Sequence, residues 1–132
     1  MLKPLGGLVE EWQKMMRNDT VPILGVSLAH RDFLRDHPAA AVNAVRAILQ
    51  ATQFGASEPA KAAAILSRSA NLDARDAKSY VELWGQIYMA RLEPGDVATL
   101  KVMADIFRKS GTVEGVVPAS LFNPSPYEQA KR

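Results

Sequence analysis

The chain has no cysteine. Disulfides, thiolate metal sites and a cysteine nucleophile are therefore excluded, while the compartment stays open, because exported proteins also do without cysteine. Charge of one sign is nearly lacking too. Against 16 Lys and Arg stand 14 Asp and Glu, a net charge of +2. No basic block is interleaved with aromatics, so no nucleic-acid partner is expected. No apolar run reaches the ~20 residues that a membrane span needs, so no membrane insertion is expected. Glu10 and Glu11 follow Lys3 too closely to leave room for a secretory h-region. The chain as written is thus expected to carry no export signal of its own.

Histidine is scarce as well, limited to His30 and His37. Seven residues apart, they would share a face only on an unbroken helix, and Pro38 interrupts it. Two ligands without a third make no zinc site, so no metal is expected. The paired carboxylates Glu10–Glu11 and Asp73 with Asp76 fit helix starts better than a glycosidase cleft. Ser27 and Ser67 stand in no G-x-S-x-G turn. Gly6–Gly7 and the stretch from Gly111 to Gly115 lack a phosphate-loop pattern and read as breakers. No catalytic residue, ligand-binding residue or cofactor is assigned, and the chain is not expected to be an enzyme.

What is present describes an ordinary globular chain. Hydrophobic residues make up 48% and charged residues 23%, which argues against disorder. With 132 residues, one core is expected, burying roughly two-thirds of the unfolded chain's surface. We expect one domain over 1–132, with a proline-rich tail at 112–132 packed on it.

Helical periodicity dominates. Leu5, Leu8, Val9, Trp12 and Met16 line a first helix ending at Asn18–Asp19. Residues 21–29 differ: Val21, Ile23, Leu24, Val26 and Leu28 form a short apolar run read as one buried strand, with Pro22 tolerated at its start. A turn at His30–Leu34 follows. A helix then opens at Pro38, capped by Asp36 or His37, carries Val42, Val45, Ile48 and Leu49, and stops at Gly55. Ser57 is expected to cap the next helix, with Pro59 in its first turn and Ala63, Ile65 and Leu66 along it. Asp73 caps another, whose stripe is Ala77, Tyr80, Val81, Trp84, Ile87 and Tyr88. Trp84 and Tyr88 could line a pocket but are read as core, and Met15, Met16, Met89 and Met103 as gap-fillers. Residues 93–96 turn the chain. Val97, Leu100, Met103, Ala104 and Phe107 mark the last stripe, closed by Gly111. In the tail, Pro118, Pro124 and Pro126 predict an extended segment with short helical turns, anchored by Leu121 and Phe122. The fold class expected is mostly α, with one principal short strand.

The succession of these elements resembles a known family. Thr20-Val21-Pro22 opens the strand, followed by His30-Arg31-Asp32-Phe33-Leu34, Asp36-His37-Pro38 and a long alanine-rich helix. Then come Ser57-Glu58-Pro59, Ala62-Ala63-Ala64-Ile65-Leu66, Leu72-Asp73 and Leu92-Glu93-Pro94-Gly95-Asp96, and a helix ending Ala104-Asp105-Ile106-Phe107-Arg108-Lys109-Ser110-Gly111. In order and spacing, from about Thr20 to the tail, this resembles the C-terminal part of periplasmic solute-binding proteins for nitrate, sulfonate, taurine and thiamine-precursor uptake. His30 departs from it, since the family has Ser there.

The resemblance implies the C-terminal segment of a two-lobed α/β binding-protein fold of type II. It implies a small anion, such as nitrate or a sulfonate, as solute, and an ABC permease as partner, both through a longer parent. An exported parent would be periplasmic. Most ligand contacts of the family fall outside the matching stretch, so no binding residue carries over. The rival expectation is a stand-alone helical interaction or dimerisation module without solute binding. A small enzyme using unrecognised residues is a remote third. Either leading reading leaves the strand short of partners. Self-association is therefore expected, through residues 21–29 or through the Leu8–Trp12–Met16 face, with Asn18–Asp19 as a hinge for swapping the first helix.

Overall fold

A computed structural model describes residues 6–132. The described residues are mostly helical, 66% of them, and no strand occurs among them. Eight α-helices form there: α1 (Leu8–Met16), α2 (Arg31–Asp36), α3 (Pro38–Ser57), α4 (Pro59–Ser69), α5 (Ala74–Glu82), α6 (Trp84–Ile87), α7 (Pro94–Lys109) and α8 (Ser125–Ala130). A 3-10 turn spans Ala119–Leu121. None of these helices is long and apolar enough to cross a membrane. Leu5, placed on the first helix by its spacing, and Lys3 lie outside the described residues.

Contacts gather the chain into two units. One holds the described residues up to Ala29 together with Leu92–Pro124; the other holds His30–Arg91 with Ser125–Arg132. In the second unit, α3 is the hub, packing against α2, α4, α6 and α8, while α4 and α5 pack closely on each other. The approach is through small residues. The buried apolar residues of this unit are Ala41, Ala62, Ala77 and Ala130, one each on α3, α4, α5 and α8. No large side chain among the described residues is fully buried. The expected core positions Leu49, Leu66, Val81, Trp84 and Ile87 are half-buried, whereas Ile48, Ile65, Tyr80 and Tyr88, expected on the same buried stripes, are exposed.

Local chemistry sets most boundaries. Pro38, Pro59 and Pro94 each occupy a first helical position, where a missing N–H costs nothing. The Asp73 carboxylate accepts the Asp76 N–H at 2.8 Å and caps α5. Residues 93–96 start α7 rather than forming a free turn, the Glu93 N–H donating to the Asp96 carboxylate at 2.9 Å. At the far end of α7, Gly111 adopts φ 75°, the Thr112 N–H bonds the Phe107 carbonyl at 2.9 Å, and the Gly111 N–H bonds that of Arg108 at 3.1 Å. That pair of bonds is a Schellman closure.

Four further expectations are corrected. Residues 21–29 form no strand; they run irregularly and are mostly exposed, because a lone segment finds no neighbour for its backbone. Gly55 does not end α3 but lies buried inside it, and a Cβ there would overlap the Trp84 ring. Ser57 does not cap α4: it is the last residue of α3, its hydroxyl bonding the Phe54 carbonyl at 3.2 Å. Finally, the stripe from Ala77 to Tyr88 is not one helix. It breaks at Leu83, whose φ −94° and ψ 3° leave α6 as a separate turn.

The break places Trp84 on α3. Its indole N–H donates to the Thr52 carbonyl at 2.9 Å, and its ring lies against Gly55. Tyr88 covers it, with ring centroids 4.4 Å apart. Glycine inside a helix is ordinarily worse than alanine by up to ~1 kcal/mol, so Gly55→Ala would stabilise an open helix. Here we predict the opposite sign, a loss of about 1–3 kcal/mol as the indole is expelled. In a Trp84→Ala background the same change becomes neutral or stabilising. Chemical denaturation of the four proteins of this cycle checks it.

Candidate interaction surface

The surface begins where α1 ends. Arg17 turns the chain out of α1 with φ 54°. The Thr20 N–H then bonds the Asn18 side-chain carbonyl at 3.0 Å, and the Trp12 indole N–H bonds the Thr20 hydroxyl at 2.9 Å. Trp12 is only 7% exposed, so this knot is fixed. Next the Ile23 N–H reaches the Met103 Sδ of α7 at 3.4 Å. These contacts hold the segment's first residues in the first unit.

Beyond Ile23 the restraints stop. Among the described residues, none of 24–29 donates or accepts a hydrogen bond. The stretch contains no turn, bend or positive φ. Leu24, Val26 and Leu28 are 70%, 58% and 80% exposed. They alternate with Gly25, Ser27 and Ala29, so an extended backbone puts three large apolar side chains on one face and three small ones on the other. At its end, the His30 ring Nδ1 accepts the Asp32 N–H at 3.3 Å and caps α2.

Exposure of apolar surface is general here. In the first unit, Leu8, Val9, Met15, Val116 and Leu121 are exposed alongside residues 24–29.

The other candidate residues are separated and locally occupied. His37 stacks on Phe33, the centroids 5.3 Å apart. Glu11 pairs with Lys14 at 2.7 Å, and that bond with its charge holds the Lys14 ammonium above its ordinary value. The Ser67 hydroxyl bonds the Leu72 carbonyl at 2.7 Å. Ser27 is exposed, as are Met15 and Met89, whereas Met16 and Met103 are half-buried. Among the described residues no group of three or more His, Asp or Glu is placed to hold a metal. An open groove in the second unit is lined by Ala63, Ala64, Ser67, Arg68, Ala74 and Ala77, with no convergent set of polar groups to orient a solute.

The sorting of large and small residues over 24–29 was readable in the sequence as a period of two, hidden by reading the stretch as one apolar run. No family model, curated protein or solved structure matches this chain.

Leu24 and Leu28 contribute nothing to the fold of the dilute chain. Leu24→Ser with Leu28→Ser is expected to leave stability within about 0.5 kcal/mol of the parent, measured by thermal unfolding at low concentration.

Proposed function

We propose that this chain is the C-terminal portion of the solute-binding component of an ABC-type uptake transporter. It acts by binding and not by catalysis. In this reading residues 21–29 are a strand of the type II binding-protein fold, and the rest of the parent supplies the neighbouring strands. One observation carries it: an uncharged apolar segment, flanked by helices, whose backbone from 24 to 29 has no partner among the described residues. Unpaired backbone of this kind is stable only in water or beside another strand. The order of the motifs from Thr20 to Gly111 adds the transport family. The solute is a small anion such as nitrate or a sulfonate, and the partner is a membrane permease. The alanine-mediated helix contacts and the exposed Leu24, Val26 and Leu28 fit a body completed by further chain.

The test is to extend the reading frame upstream, express the longer product and titrate it with nitrate, taurine and a short alkanesulfonate by calorimetry. The longer product is expected to bind one of them, and the 132-residue chain none. A frame that encodes no α/β lobes, or a longer product indifferent to all three, contradicts the reading.

A further inference from the structure

We propose that the chain on its own forms a two-fold dimer by antiparallel pairing of residues 24–28 with the same residues of a second copy. This stands apart from the transport reading, because it concerns the 132-residue chain without any added lobe.

Three observations select this geometry. The first is direction. On an extended backbone, successive N–H and C=O pairs point to opposite sides. The Ile23 N–H is turned toward Met103 of its own chain, so with residues 24–28 extended in the ladder the groups of residues 24, 26 and 28 point the other way. They then present one edge to a partner, away from the side on which Ile23 meets α7.

The second is self-complementarity. A two-fold axis at Val26 sets Leu24 of one copy opposite Leu28 of the other, and Val26 opposite its counterpart. Each pairing is apolar, and the three large side chains of both copies then form one continuous face. No charged residue lies between Val21 and Ala29, so neither like-charge opposition nor the lysine that usually blunts an edge is present. Pro22 before the ladder and α2 after it limit its length, and the isologous contact closes at two copies.

The third is exposure. Leu24, Val26 and Leu28 are 70%, 58% and 80% exposed, so nothing of the described chain covers the face that pairing would extend. The competing Leu8–Trp12–Met16 face is a poorer candidate. Trp12 is buried and bonded to Thr20, and Met16 is half-buried, so only Leu8 of that trio is well exposed.

Because the chain has no cysteine, Val26→Cys introduces a single thiol. Paired residues at the axis have Cα atoms about 5.5 Å apart, within disulfide range. Mild oxidation is expected to convert Val26→Cys to a covalent dimer, while Gln50→Cys, on exposed α3, stays largely monomeric. Sedimentation over a dilution series is expected to show a reversible dimer for the parent chain. Val26→Pro removes an inter-chain donor without touching any bond of the monomer, and is expected to sediment as a monomer with an unchanged helical circular dichroism spectrum. A parent chain that is monomeric throughout the micromolar range, or a Val26→Pro chain that dimerises equally well, overturns the proposal. None of these readouts involves solute or the longer product, so failure here is distinct from failure of the transport reading.

Discussion

The indole of Trp84 lying on Gly55, with its N–H on the Thr52 carbonyl, is the contact on which the second unit depends. Trp84 is half-buried, and the buried apolar residues of that unit are alanines, each removing little surface from water. A tryptophan offers several times more apolar area and a directional bond. It joins α6, and through it the C-terminal end of α5, to the helix that also carries α2, α4 and α8. The close approach exists only because residue 55 has no Cβ, and the break at Leu83 is what turns the ring toward it.

The first unit is organised by a different constraint. Trp12, Thr20 and Asn18 tie the chain leaving α1, and Met103 catches the Ile23 amide. Both contacts act at the start of residues 21–29 and none acts on its second half. The same unit that fixes Ile23 therefore leaves Leu24, Val26 and Leu28 in solvent. Pairing their backbone also sets those side chains against their cross-strand neighbours on one face, which removes part of their apolar surface from water. The transport reading and the dimer differ only in where that neighbour comes from.

Much of the helical layout was legible because its signals are local. Pro38 and Pro59 at helix starts, Asp73 as a cap and Gly111 as a left-handed closure each act within one turn. Where the reading failed, the deciding partner lay far along the chain. Gly55 looks like a stop unless Trp84 is known to rest on it. Ser57 looks like a cap for α4, but its hydroxyl is taken by the last turn of α3. The Ala77–Tyr88 stripe reads as one helix because periodicity is blind to the break at Leu83. Residues 21–29 have the composition of a buried strand, but composition does not say whether a neighbour is present. The interaction surface was half legible: the residues and their unpaired edge were foreseen, and the exposure of the Leu24, Val26 and Leu28 side chains was not.

The central claim is that residues 24–29 have no partner among the described residues and pair as a strand only when a neighbour is supplied. Hydrogen exchange followed by mass spectrometry, on peptides covering that stretch and on α3 as an internal reference, tests it most directly when run from dilute to concentrated protein. The account predicts that the amides of 24–29 exchange at the rate of unstructured chain when dilute, while α3 is protected. On concentration, protection should appear over 24–28 without change in α3. Protection of 24–29 already present at the lowest concentration would contradict the account, because it would mean that the chain covers the segment itself.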